Sequence, residues 1–235
     1  MSDPPEFTRE MSAAEACERL LGAGWMEIGR GDWSWVYGHA DSPWAVRVTP
    51  FDPAYALFAQ ACLDGPGNRW LPKVKTVVPL RRDGYATVIE RLWVAPEPFA
   101  AAFCAALGLP NHSGYEIPQD TGPFDPFDPD LMALREKILA LMGLGQARYA
   151  LWGGSDIRAG QVLADAQGQL KLVDPVFLRG PAMVEAIDAG RPDLLSDFSR
   201  AQLEDFLTIP AFTPGSDTQS LREKLARLVL PDRGV

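Results

Sequence analysis

The sequence is poor in the residues that build metal centres and disulfide frameworks. Its 235 residues include three cysteines and two histidines. Cys17, Cys62 and Cys104 lie far apart, no pair has metal-ligand spacing, and an odd count argues against a disulfide framework. His39 and His112 belong to no metal motif and read as isolated surface or loop side chains. Basic residues are also in deficit. Lys and Arg number 22 against 31 Asp and Glu, a net charge of −9. Such a surface repels phosphate backbones, so nucleic acid is not an expected partner, although a local basic pocket is still allowed. Long apolar runs are missing too. No stretch approaches the ~20 apolar residues that span a bilayer, and Met1 to Glu10 lacks the basic start and apolar core of a secretory leader. These absences imply a reduced, soluble, cytoplasmic protein with no membrane contact. No internal repeat or low-complexity segment appears.

What is present is a globular composition. Apolar residues make up 47%, enough for a sizeable core. The length suits one large domain or two intimately packed lobes. Twenty-one Gly and 21 Pro imply many loops and few long helices.

The first ~90 residues read mainly as strands. Ser12-Ala13-Ala14-Glu15 is a capping-box pattern opening a short helix that Gly22 closes. Trp25 to Val48 is rich in aromatic and β-branched residues and predicts three antiparallel strands. Asp52-Pro53 starts a helix with Tyr55, Phe58 and Cys62 on one face, and Gly65-Pro66-Gly67 ends it. Val74 to Leu80 and Tyr85 to Ile89 are two more strands joined by the turn Arg82-Asp83-Gly84. The rest reads mainly as helix. Pro96 to Leu107 comes first, then a Pro- and Gly-rich loop from Asn111 to Asp128. A stronger helix follows from Asp128-Pro129, with Gly143 as its stop. Val162 to Leu163 and Leu170 to Val173 are short strands around the turn Asp165 to Gly168. Ala182 to Ala189, Arg200 to Leu207 and Asp217 to Leu230 are helical. The expected fold class is α+β with two lobes. A five-stranded antiparallel N-lobe with one inserted helix spans 1–92, and a smaller, mainly helical C-lobe spans 93–235.

Three segments can carry chemistry. In Gly29-Arg30-Gly31-Asp32-Trp33-Ser34-Trp35-Val36, glycines between two strands let the backbone approach a phosphate closely. Taken alone, a Gly-x-Gly hairpin is ordinary turn chemistry. In Ala45-Val46-Arg47-Val48, a lone cation facing inward needs a partner, and a nucleotide phosphate would serve. The plain alternative is an arginine whose head reaches solvent. The third and strongest segment is Gly154-Ser155-Asp156-Ile157-Arg158-Ala159-Gly160-Gln161-Val162-Leu163, followed by Leu170 to Val173 and Asp174-Pro175. Phosphoryl transfer needs a base for the acceptor hydroxyl and oxygen ligands for Mg²⁺. Asp156 is a candidate base, and Gln161 and Asp174 are candidate ligands. Asp-Pro also occurs at Asp3, Asp52, Asp125 and Asp128, so only the context of Asp174 makes it informative.

In this order, from about Gly24 to Pro175, the motifs resemble those of the protein-kinase superfamily. They are most similar to short kinase-like proteins of bacteria and their phages and to the aminoglycoside phosphotransferase branch, which read D-L-H-x-G-N-V-L and then a strand ending in D-P or D-x. The resemblance implies ATP and Mg²⁺ as cofactors. It implies nucleotide contacts from Gly29, Gly31, Ser34, Val36, Ala45 and Arg47, and from the interlobe stretch at Glu90 and Leu92. Ile89 joins Val36 and Ala45 in walling the base. A protein is the implied acceptor or partner.

The pattern departs from the family at several points. Ser34 replaces the third glycine, Arg47 the strand lysine and Gln161 the catalytic-loop asparagine. The inserted helix is expected to offer no acidic partner for Arg47. Arg158 takes a place often held by Lys or His and can still neutralise a transferring phosphate. Gly154-Ser155 replaces a His-containing pair, and about 60 residues follow Asp174, too few for an extended activation segment. Pro175-Val176-Phe177 after Asp174 makes a mobile switch there unexpected. Two functions are therefore expected to compete. One is an ATP-dependent phosphotransferase acting on a hydroxyl through a degenerate site. The other is a pseudokinase that docks a protein without catalysis, with the Asn111–Pro129 loop and seven Trp as contacts. Nucleotidyl transfer on the same scaffold is a third, weaker reading.

Overall fold

The capping box forms at Ser12. Its hydroxyl accepts the Glu15 N–H at 3.2 Å, and the Glu15 carboxylate accepts the Ser12 N–H at 2.6 Å. Helix α1 (Ala13–Gly22) follows, in a computed structural model that describes residues 2–65, 67–212 and 218–230. The expected stop at Gly22 comes slightly late. The helix includes Gly22, and Gly24 takes the left-handed conformation, φ 81°, that reverses the chain.

Five strands then form one antiparallel sheet: β1 (Met26–Arg30), β2 (Trp35–Gly38), β3 (Trp44–Thr49), β4 (Val74–Pro79) and β5 (Tyr85–Glu90), in the order β1-β2-β3-β5-β4. Helix α2 (Pro53–Asp64) is inserted after the third strand, as the Asp52-Pro53 signal predicts. Pro66, expected to help end it, lies outside the described residues. The β4–β5 connection differs from the expected two-strand turn. It is a 3₁₀ turn at Arg81–Asp83, with Arg82 and Asp83 both left-handed at φ 57° and 65°. Non-glycine residues adopt that region at a cost. Here the turn is held from outside, because Gln202 donates to Asp83 at 2.8 Å and Arg82 pairs with Glu204 at 3.2 Å.

The remaining elements are β6 (Trp93–Val94), α3 (Glu97–Leu107), α4 (Pro129–Arg148), β7 (Trp152–Ser155), β8 (Val162–Ala164), β9 (Leu170–Leu172), β10 (Val176–Leu178), α5 (Gly180–Asp188), α6 (Arg200–Phe206) and α7 (Thr218–Arg227). Two small sheets, β6-β8-β9 and β10-β7, complete the mixed α and β architecture. Strands β6, β7 and β10 are too short to show a period in sequence and were not expected. Helix α4 runs past Gly143. A Cβ on its buried Gly145 would lie 2.3 Å from the Trp152 ring, so glycine there serves packing and not termination. Asp217, the expected start of the last helix, lies outside the described residues.

Period-2 alternation divides the sheet faces. Val46 and Val48 of β3 pack with Leu20 and Trp25 in a core under α1. Ala45 and Arg47 face the other way. A second, larger core runs from Phe51, Tyr55 and Phe58 through Phe103, Leu134 and Ile138 to Ile187 and Phe206. Each such buried side chain contributes about 1.5–3 kcal/mol. This core joins the strand-rich and helix-rich parts of the chain. Among the described residues, no helix is long and apolar enough to cross a membrane.

Candidate active site

Behind β3, a cavity of about 820 Å³ opens between the sheet and the segment from Asp156 to Phe212. Eleven of the twelve site residues expected from sequence line it: Gly31, Ser34, Val36, Ala45, Arg47, Glu90, Leu92, Asp156, Arg158, Gln161 and Asp174. Gly29 does not. It pairs with Val36 within the β1–β2 ladder, so its backbone serves the hairpin.

Arg47 is the hub. Its Nε donates to Ser34 Oγ at 2.7 Å, and its Nη2 lies 2.8 Å from Asp52 Oδ2 and 3.2 Å from Asp174 Oδ2. The guanidinium stacks 3.4 Å above the Tyr55 ring. Burial works against its charge, yet Asp174 and Asp52 together raise its pKa above the ordinary value. The expectation that the inserted helix offers no acidic partner is corrected here. Asp52 caps α2 with one oxygen, accepting the Tyr55 N–H at 3.1 Å, and pairs Arg47 with the other. A cap uses one carboxylate oxygen and leaves the second for a cation. The sequence signal was an acid five residues after the lone inward cation.

Asp174 sits just after β9 with its side chain 28% exposed toward the cavity. Burial pushes its carboxyl up to about 7. Arg47 opposes that shift, and the neighbouring charges of Asp52 and Asp156 add to it. Such crowding of acids marks a place where a cation would relieve repulsion.

Asp156 follows β7, and its backbone N–H donates to Pro175 O at 2.8 Å. This bond puts the loop of Asp156 beside the Asp174 turn. Arg158 Nε donates to both carboxylate oxygens at 3.0 and 3.1 Å, and Gln161 Nε2 donates to Oδ2 at 2.6 Å. With its amide nitrogen on Asp156, Gln161 keeps Oε1 without a donor among the described residues. Gln161 Oε1 and Asp174 are hard oxygen donors of the kind Mg²⁺ takes together with phosphates and water. The donor set therefore fits that ion.

Val36, Ala45, Ile89 and Leu92 form an apolar wall. The Glu90 N–H donates to Lys73 O at 2.9 Å and the Arg91 N–H to Pro43 O at 2.8 Å, so neither is open to a ligand. The Leu92 N–H has no acceptor among the described residues. The Glu90 carboxylate is also occupied. It accepts the Lys73 N–H at 2.8 Å and lies 3.7 Å from buried Lys171.

Sequence reasoning missed Asn111 and His112. Asn111 Oδ1 accepts the N–H of fully buried Ile157 at 3.0 Å. His112 Nδ1 is 2.8 Å from Ser155 Oγ, and its N–H donates to Ser155 O at 2.9 Å. The His112 ring also fills the space where a Cβ on Gly154, φ 99°, would sit at 2.8 Å. The start of the long loop thus braces the residues flanking Asp156. No local pattern signals this, since the partners are more than forty positions apart.

No protein-family model matches this chain, and no curated protein matches it. Among solved structures, it is similar to the aminoglycoside phosphotransferase APH(3'')-Id from Streptomyces rimosus. That match has 14% identity, covers 92% of this chain and 97% of the other, and has a TM-score of 0.32. An overlap that loose does not align site residues one to one.

Proposed function

We propose that this chain is an ATP-dependent phosphotransferase of the kinase-like type, with lobes at 1–92 and 93–235 and a hydroxyl compound as acceptor. The observation that carries the reading is the 3.2 Å contact of Arg47 with Asp174, in a cavity that also holds Asp156 and Gln161. Strand cation, loop acid, loop amide and turn acid come from four separated segments, and phosphoryl transfer uses all four together.

In this reading the adenine lies against Val36, Ala45, Ile89 and Leu92, with the Leu92 N–H as donor. The phosphates lie under Gly31 to Ser34 and meet Arg47. Asp174 and Gln161 would hold Mg²⁺, which when bound neutralises charge on phosphate oxygens. Asp156 accepts a hydrogen bond from the acceptor hydroxyl and orients it toward the γ-phosphorus. Arg158 holds the Asp156 carboxylate and offers its remaining N–H groups to the transferring phosphoryl group. Asp52 does the work that kinases assign to an acid inside the helix. A protein hydroxyl, the acceptor implied by the motif style, would have to reach Asp156 through the mouth of the cavity.

A protein-docking pseudokinase is a second reading, favoured by one observation: Arg158 and Gln161 already satisfy both Asp156 oxygens. Nucleotide binding by thermal shift with and without Mg²⁺, then release or transfer of labelled γ-phosphate, separates the two. The phosphotransferase reading expects an Mg²⁺-dependent shift and turnover. Asp156→Ala should cut turnover by about 10²–10⁴-fold while the nucleotide shift persists. A shift with no turnover under any condition sinks catalysis, and no shift at all sinks both the ATP site and its metal.

A further inference from the structure

Beyond the residues assigned to the proposed nucleotide site, the cavity has a further set of lining residues. Strand β10 begins beside Pro175, whose carbonyl holds the Asp156 N–H at 2.8 Å. It leads to Gly180, where a Cβ would lie 3.0 Å from the Trp33 ring. Between these points the cavity is lined by Val176 and by exposed Arg179, and Val184, Ile209, Phe212, Trp33 and Phe206 also line it.

Aromatic packing closes one side of this chamber. Trp33 packs on Phe206 with ring centroids 5.4 Å apart, and Phe206 on Phe212 at 5.3 Å. The Ala211 N–H donates to Asp32 O at 2.9 Å. The tip of the β1–β2 turn is thereby tied to the segment after α6. Charge narrows the choice of acceptor. Of the acids lining the cavity, Asp52 and Asp174 pair with Arg47, Asp156 with Arg158 and Glu90 with Lys171. Only Asp32 lacks an ion pair among the described residues, so a polycationic amino sugar would find few free carboxylates.

We propose, resting on the phosphotransferase reading, that the acceptor is a small, mainly apolar alcohol or phenol held against the aromatic and aliphatic lining of this chamber. Its hydroxyl meets Asp156. The hydroxyl oxygen bonds to the γ-phosphorus, the bond from that phosphorus to the β-phosphate oxygen breaks, and the hydroxyl proton passes to Asp156. The products are ADP and a phosphate monoester. Contact with aromatic and aliphatic side chains supplies recognition, as it does in apolar ligand sites generally.

The test uses naphthol as probe, followed by its fluorescence with the full chain, with ATP thermal shift measured on the same sample. Saturable binding at one site is expected. Val184→Trp should fill the chamber and weaken naphthol by about tenfold or more, leaving the ATP shift unchanged. If that variant fails to fold by circular dichroism, Phe212→Ala, which removes one wall, should also weaken naphthol. Absence of saturable binding, or binding indifferent to the folded variants, overturns the proposal. Labelled phosphate transferred to kanamycin or casein, with no naphthol binding, overturns it while phosphotransfer stands. Naphthol binding without any ATP shift overturns the nucleotide reading and the acceptor role that rests on it.

Discussion

Nη2 of Arg47 lies 2.8 Å from Oδ2 of Asp52, while Oδ1 of the same carboxylate caps α2 through the Tyr55 N–H. One residue thus anchors both a helix and the cation of the proposed phosphate site. Both side chains are about nine-tenths buried. Asp52→Ala should cost ~3 kcal/mol, the lower end for breaking a buried pair, because Asp174 remains beside Arg47. Asp52→Asn keeps the cap and should recover about 1 kcal/mol of that loss. Urea denaturation measures both, and equal losses in the two variants would refute the division of labour.

Asn111 is the second test. Asn111→Ala strips the buried Ile157 N–H of its acceptor, a loss of about 1–3 kcal/mol. On the phosphotransferase reading, turnover should fall with the KM for ATP unchanged, since Asn111 does not line the cavity. Asn111→Asp retains an acceptor oxygen and should restore much of the rate. A purely structural role would move stability and leave turnover per folded molecule untouched.

Asp205 carries a pH signature. Burial pushes its carboxyl up to about 6 from an ordinary 3.8, with Arg82 opposing and Glu204 reinforcing. The folded chain therefore holds this proton more tightly than the unfolded chain does, and protonation favours folding. The contribution is fully present below about pH 3.8 and is lost as pH rises through about 6. Urea midpoints of the wild type should fall relative to Asp205→Asn across that window. Parallel curves would show that the carboxyl titrates normally.

Gly145→Ala probes packing away from the site. The added methyl would meet the Trp152 ring at 2.3 Å, so the helix or the ring must shift, at about 1–3 kcal/mol. An unchanged or raised melting temperature would mean that Trp152 yields freely.

Much of the framework was legible from local pattern. The capping box at Ser12, the Asp52-Pro53 helix start and the strand alternation around Arg47 each depend on residues within a few positions of one another. The spacing from Asp156 through Gln161 to Asp174 was legible for the same reason, because a loop, a hairpin and a turn follow in unbroken succession. Where the signal weakened, the reading erred. Gly143 looked like a stop, but packing on α4 outweighed glycine's low helix propensity there.

The sequence by itself therefore determined most of the elements, their order and the chemical groups available for the proposed phosphoryl site. Tertiary structure alone decided which groups meet. It brought Arg47 to Asp174, set Asn111 and His112 against the loop of Asp156, and closed Trp33 onto Phe206 across some 170 residues of chain. Periodicity and capping report the free energy of neighbours along the chain. Contacts of that separation are set by how the whole core closes, and no local pattern encodes them.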